Sequence, residues 1–293
     1  MPFGLKNGAQ TFQRLMDTVC RDLDCVFIYL DDILVFSRNK TEHLKHLRQV
    51  FQRLADHGLV IISKCQFGVT EIDFLGHHIT SKGAKPLPHK VDAIRNFPRP
   101  QTIKSLQEFT GMINYYHRFI PGAASILRPF YKALKTKAKT LKWTDELENT
   151  FFTAKNALAN AAMLVHPRTN APTSITIDAS GFAIDAVLEQ YLQNQWQPIA
   201  FFSRQLRPPE EKYSAFDREL LALHLSIRHF RYFLEGRTFT AFTDHKPLTF
   251  AFTKITDPWS AKQQRQLASI SEYTTDVRHI AGKKTLCRDA NHQ

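Results

Sequence analysis

Apolar and polar positions alternate with two different periods in the first 85 residues. Residues 10–23 and 42–58 read as helices. The second carries Leu44, Leu47, Phe51 and Leu54 at helical spacing and meets Gly58, a natural stop. Between them lies "VFIYLDDILVFS", residues 26–37, apolar on both sides of an adjacent acidic pair, Asp31 and Asp32. A buried, unpaired carboxylate costs roughly several kcal/mol, so such a group pairs, binds metal or takes up a proton. The run is too interrupted for one strand and predicts two short strands turning at the acidic pair. "LVIIS" (59–63) and "EIDFLGHHIT" (71–80) read as further short β segments.

From residue 86 the pattern changes. Pro-rich "KPLPHK" and "NFPRPQT" punctuate a short helix carrying Val91 and Ile94. "TIKSLQEFTGMINYYHRFI" is amphipathic, with Ile103, Leu106, Phe109, Ile113 and Tyr116 on one stripe, Thr102 as N-cap and Pro121 just beyond. "KALKTKAKTLKW" is a basic stretch leading to a third block. There a helix over about 145–161 precedes three strands, "SITIDAS", "FAIDAVLEQ" and "QPIAFFSRQL". A long helix over about 211–235 follows, then a strand at "TFTAFTDH", a helix at about 260–272 and a strand at "TTDVRHI". Strands, helix, strand, helix describe a mixed α/β sheet, so the fold class is α/β (α+β). The expected segments are 1–85, 86–142 and 143–293.

Charge follows the same division. Among 293 residues, 39 are basic and 27 acidic, a net charge of +12. Residues 86–142 hold 11 Lys and Arg against 2 Asp and Glu, so +9 of that excess sits in one segment. A concentrated basic block suggests a grip on a polyanion. The composition, 43% hydrophobic and 12% aromatic, is that of a folded protein. No apolar run reaches the roughly 18 to 20 residues of a membrane span, and the N-terminus lacks the pattern of a secretory signal. Cys20, Cys25, Cys65 and Cys287 have no metal-ligand spacing and fit a reducing, intracellular setting, cytoplasm or nucleus.

Three acids in the third block invite chemistry. Asp178 and Asp244 each close an alternating strand, the edge of an α/β sheet where ligands bind. Glu219 borders the buried stripe of the intervening helix. Convergent carboxylates repel one another unless a cation holds them, and hard oxygen ligands suit Mg²⁺. Two such ions roughly 3.5–4 Å apart can activate a water and stabilise the leaving oxygen in phosphodiester cleavage. Each acid alone also has an ordinary reading, a turn former or a solvated helix residue.

Several long motifs carry a resemblance. "MPFGLKNGAQTFQRLMD", "YLDDILVFS", "SKCQF" and "FLGHHIT" resemble the second half of the reverse transcriptase of gypsy-type long-terminal-repeat retrotransposons. "FPRPQTIKSLQEFTGMINYYHRFIP" resembles that family's thumb and connection. "TIDASGFAIDAVLEQ", "AFDRELLALHLSIRHFRYFLEG" and "FTDHKPLTF" resemble its RNase H domain, and the likeness runs through almost the whole chain in the family's order. The resemblance implies a partial polymerase palm over 1–85, a basic thumb and connection over 86–142 and an RNase H-like mixed sheet over 143–293.

It also implies roles. Asp31 and Asp32 would be the catalytic carboxylates of the palm hairpin. Phe3 and Gly4 would line the nucleotide and template pocket, Lys64 would approach the incoming phosphates, and Phe74, Leu75 and Gly76 would form the primer grip. Asp178, Glu219, Asp244 and Asp289 would ligate the RNase H metals, with His279 near the departing product. Lys135, Lys137 and Lys139 belong to the basic grip. The implied cofactor is Mg²⁺, or Mn²⁺ in its place. The implied partners are RNA–DNA hybrid, template–primer and, with a complete palm, deoxynucleoside triphosphates; no membrane is implied. Asp185 stands where the family usually has Gly, "LCRDANHQ" departs from the family's closing pattern, and the family's other palm Asp and its fingers lie upstream of "MPFGL". Two-metal cleavage of RNA in RNA–DNA hybrids is therefore the expected activity, with polymerase incomplete. The alternative is a non-enzymatic nucleic-acid-binding remnant.

Overall fold

A computed structural model of the chain describes residues 6–61, 64–135, 141–252 and 259–281. The chain divides into two compact units, residues 1–74 and 75–293.

The first unit runs α1 (Gly8–Val19), β1 (Val26–Tyr29), β2 (Asp32–Val35), α2 (Lys40–Asp56) and β3 (Glu71–Phe74). Met16, Val19 and Cys20 from the α1 end meet Val50 and Leu54 of α2, with Ile28, Ile33 and Val35 packed against them. The Asn39 side chain caps α2 by accepting from the Glu42 N–H at 2.9 Å, and the Glu42 carboxylate accepts from the Arg38 N–H at 2.7 Å. At the other end Gly58 has φ +67°, which lets the Leu59 N–H reach back to the Leu54 carbonyl at 2.9 Å. That cap also explains a departure from the sequence expectation. Residues 59–61 of "LVIIS" form no strand: Leu59 is drawn back onto α2 and Val60 is 88% exposed. Residues 62 and 63 lie outside the described residues.

The second unit begins with β4 (His77–Thr80) and β5 (Gly83–Pro86), an antiparallel pair, followed by α3 (Pro88–Arg95) and α4 (Ile103–Tyr115). Thr102 and Ser105 form a reciprocal capping box at the start of α4. Gly83 is required by a close approach. A Cβ there would lie 2.2 Å from the Leu164 carbonyl oxygen, which accepts from the Ala84 N–H at 2.8 Å.

The next helix, α5 (Ala123–Lys135), replaces the first part of the expected basic stretch. Pro129 in its interior speaks against a helix, since it removes a backbone donor. Burial prevails, because Leu127 and Phe130 are fully enclosed. α6 (Asp145–Ala159) starts at the Thr144 cap. The helices α3 to α6 share one core, Leu106, Phe109, Ile113, Phe130 and Phe151 among its members, and that core includes Val187 and Phe201 of the sheet.

The sheet comprises β6 (Thr173–Ala179), β7 (Ala183–Leu192), β8 (Gln195–Gln205), β9 (Phe239–Thr243) and β10 (Val277–His279), in the order β10-β9-β6-β7-β8. β6, β7 and β8 are antiparallel neighbours, whereas β9 and β10 run parallel to β6 and β9. Strand alternation divides the faces. Ile184, Ala186 and Leu188 of β7 join the core with α7 (Ala215–His229) and α10 (Ala261–Ser271), while Val187 joins the core of α3 to α6.

The expected 211–235 helix is not continuous. Phe230, 1% exposed, closes α7, and a separate α8 (Arg231–Leu234) follows, keeping Leu234 buried as well. α9 (Lys246–Phe250) is a short addition after β9, with Pro247 in its first turn. No helix among the described residues is long and apolar enough to cross a membrane.

Candidate active site

The topology gathers three acids at one sheet edge. β6 and β9 are parallel neighbours, so Asp178 near the end of β6 and Asp244 just after β9 emerge at the same edge. Glu219 reaches them from α7. One carboxylate oxygen from each of Asp178, Glu219 and Asp244 lies within 4.8 Å of the others. Glu219 is buried, Asp178 half-buried and Asp244 exposed, so the cluster opens outward at Asp244.

Glu219 is held at both oxygens. The Ala179 N–H donates to Oε1 at 2.9 Å and the Thr243 hydroxyl donates to Oε2 at 2.8 Å. Thr243 is fully buried, and its oxygen also accepts from the His245 N–H at 3.0 Å, bridging the residues on either side of Asp244. Burial raises the Glu219 carboxyl to about 7; the Thr243 hydrogen bond opposes this, and the negative Asp244 and Asp178 add to it. Asp178 is raised for the same two reasons, burial first and then Asp244. Such a set fits a divalent metal: the donors are hard oxygens, they converge, and a cation would relieve both their repulsion and their lost hydration.

His279 is exposed on β10, opposite Thr243 in the parallel register. Asp289 lies outside the described residues. Thr243 was not among the sequence candidates; a buried threonine immediately before a strand-end Asp was its only signal.

Asp185 is the direct cross-strand partner of Asp178. It is 5% exposed, on the β7 face turned towards α5. Its carboxylate accepts a short hydrogen bond from the Ser203 hydroxyl, and the Ser125 hydroxyl stands at 3.5 Å. Ser203 in turn accepts from the Ala124 N–H at 2.7 Å, so Asp185 sits within a polar link between sheet and helix.

In the first unit, Tyr29 faces Asp32 across the β1–β2 pair, which leaves Leu30 and Asp31 as a two-residue turn. The expected turn is thus present, but Asp31 and Asp32 are exposed rather than buried, because the turn lifts them clear of the apolar run. Leu30 has φ +54°, a left-handed backbone that a leucine adopts only under constraint. Gln13 of α1 supplies that constraint: its Oε1 accepts from the Leu30 N–H at 2.7 Å and its Nε2 donates to the Ile28 carbonyl at 3.3 Å. Sequence reasoning did not single out Gln13. Lys64 is exposed. Phe74, Leu75 and Gly76 are half-buried, and Phe74 packs edge-on against Phe27. Lys135 is exposed at the end of α5, whereas Phe3, Gly4, Lys137 and Lys139 lie outside the described residues.

Comparison with known proteins agrees with this geometry. Residues 1–79 match the family described as reverse transcriptase (RNA-dependent DNA polymerase). Residues 143–241 match the RNase H-like domain found in reverse transcriptase. Over 99% of its length the chain is 39% identical to the retrovirus-related Pol polyprotein from transposon 297 of Drosophila melanogaster, covering 27% of that protein. It is 33% identical to the Pol polyprotein from transposon gypsy of the same organism, covering 29% of it. The transposon Tf2-3 polyprotein of Schizosaccharomyces pombe is 29% identical, with 22% of it covered. The chain therefore spans less than a third of the length of these curated relatives. The fold is shared with part of the foamy viral protease-reverse transcriptase. Its structure in complex with RNA/DNA hybrid superposes with a TM-score of 0.77 at 23% identity, covering 100% of this chain and 40% of that one. Its structure with double-stranded DNA, in a dRH form, gives 0.76 at 22% identity, covering 95% and 49%. By these matches the chain carries reverse transcriptase and RNase H-like domains, and its relatives are Pol polyproteins of long-terminal-repeat retrotransposons.

Proposed function

We propose that the chain carries a divalent-metal nuclease of the RNase H kind, acting on the RNA strand of RNA–DNA hybrids, joined to part of a polymerase palm. The observation that carries this reading is the convergence of Asp178, Glu219 and Asp244 within 4.8 Å. These three would hold Mg²⁺, and the same oxygen donors would accept Mn²⁺. The bound ion would supply positive charge at the scissile phosphate. The protein's own part is to fix the carboxylates beforehand: the Ala179 N–H and the Thr243 hydroxyl hold Glu219, and the outward-facing Asp244 leaves the set open to substrate. Asp289 would complete the ligand set, and His279, exposed on β10, would stand near the departing product.

Residues 1–85 would form the palm part, with Asp31 and Asp32 at the polymerase turn and Phe3, Gly4 and Lys64 facing nucleotide. Phe74 to Gly76 would meet the primer. The basic residues 86–142, Lys135, Lys137 and Lys139 among them, would hold the duplex. The structures of the foamy viral protein with hybrid and with double-stranded DNA support a nucleic-acid partner by analogy. The Asp178→Asn variant tests the reading, since it removes a ligand charge and keeps the shape. In a hybrid-cleavage assay with Mg²⁺ it should lose activity while retaining hybrid affinity. Equal cleavage by the two proteins would discard the nuclease.

A further inference from the structure

The turn entering β4 is strained. Leu75 has φ +45° and Gly76 φ +75°, two successive residues in the left-handed region. Only glycine visits that region freely, and a leucine held there needs support from its surroundings. The support comes from α4 and its cap, forty positions on. The Tyr115 hydroxyl donates to the Leu75 carbonyl at 2.7 Å, and the Tyr116 hydroxyl donates to the Gly76 carbonyl at 3.1 Å. The Leu87 N–H donates to the Gly76 carbonyl as well, at 3.2 Å.

The fit is close. A Cβ on Gly76 would meet the Tyr115 ring and hydroxyl at 3.1 Å and the Tyr116 hydroxyl at 3.3 Å. The two tyrosine rings stand edge to face with centroids 4.9 Å apart, and the His77 ring stacks on Tyr115 and on Phe119. Tyr116 is 4% exposed and acts as the fixed wall. Tyr115 is 54% exposed, so a flat aromatic face lies open beside the turn that it holds. Exposed tyrosines and backbone amides are common partners of a nucleic-acid backbone, and aromatic faces stack on bases.

We infer that Tyr115 and Tyr116 are positioning residues that lock the Leu75–Gly76 turn in its left-handed form, as a rigid contact for the nucleic-acid strand. The inference rests on the nucleic-acid reading proposed above. A turn fixed before binding avoids the ordering loss that a loose one would incur on contact.

The test uses the full chain with Tyr115→Phe and Tyr116→Phe, singly and together; phenylalanine keeps the rings and removes the hydroxyls. Hydrogen exchange of the amides of residues 75–77, without nucleic acid, reads the lock itself. Fluorescence anisotropy with a labelled RNA–DNA hybrid reads its use. In the double variant exchange should quicken and hybrid affinity should fall, each on the order of tenfold for two lost hydrogen bonds. The salt dependence of binding should stay as in the unaltered chain, because the phosphate contacts of the basic segment are untouched. Unchanged exchange would overturn the lock. Faster exchange with unchanged affinity would make the tyrosines purely structural and overturn the inference. Failure of the unaltered chain to bind hybrid would sink the functional reading and this inference with it.

Discussion

Glu219 is where burial and charge compete most directly. Its carboxyl is raised from an ordinary 4.5 to about 7, so the folded protein holds that proton more tightly than the unfolded chain. The stabilisation this gives is complete below the ordinary value and is lost as pH rises through about 7. A divalent ion needs the deprotonated form. Added Mg²⁺ should therefore raise the thermal midpoint more at about pH 8 than at about pH 6, and equal increments would contradict the assignment of Glu219 as a ligand. Thr243 adjusts the same balance, because its hydroxyl favours the charged carboxylate. Thr243→Val should leave Glu219 Oε2 without its donor, lower stability by about 1–3 kcal/mol and displace the Mg²⁺ response to higher pH. Thr243→Ser should restore both in the same thermal titration.

At the scale of elements, what could be read in the sequence followed from periodicity and its punctuation. The capped helices α2 and α4 lie where their stripes predict, α6 falls within the expected 145–161, and the β1–β2 turn falls at the acidic pair. The strand-end positions of Asp178 and Asp244 were legible because alternation stops there. What escaped was decided by contacts distant in sequence. α5 was hidden by Pro129 and is held by Leu127 and Phe130 in a core shared with three other helices. Gln13 and Thr243 act through side-chain hydrogen bonds that no local pattern announces.

Asp185 belongs to this second class. As a substitution where the resemblance expects Gly, it suggested disturbance, yet in the fold Ser203 and Ser125 surround it and Ser203 ties it to the first turn of α5. Asp185→Gly should thus destabilise the sheet–α5 link, by about 1–3 kcal/mol for the buried polar groups left unpaired. A denaturant titration checks this, and an increase in stability would mark Asp185 as damage instead.

Across the whole molecule, the net charge of +12 comes mainly from residues 86–142. If that segment holds duplex through about 6 phosphates, hybrid affinity should fall about a thousandfold between about 50 and 200 mM salt. Replacing Lys135, Lys137 and Lys139 with Ala should flatten that dependence; an unchanged slope would locate the grip elsewhere. The two leucines at positive φ carry a consequence for the order in which the protein is made. A turn that is unfavourable by itself cannot start a hairpin, and it forms once its remote partner is in place. Leu30 depends on Gln13, seventeen residues before it, so that partner leaves the ribosome ahead of the turn. Leu75 depends on tyrosines that emerge forty residues after it. The first turn can close as soon as it emerges, whereas the second must wait for α4, and the chain around Leu75 stays open to a nascent-chain protease over that interval.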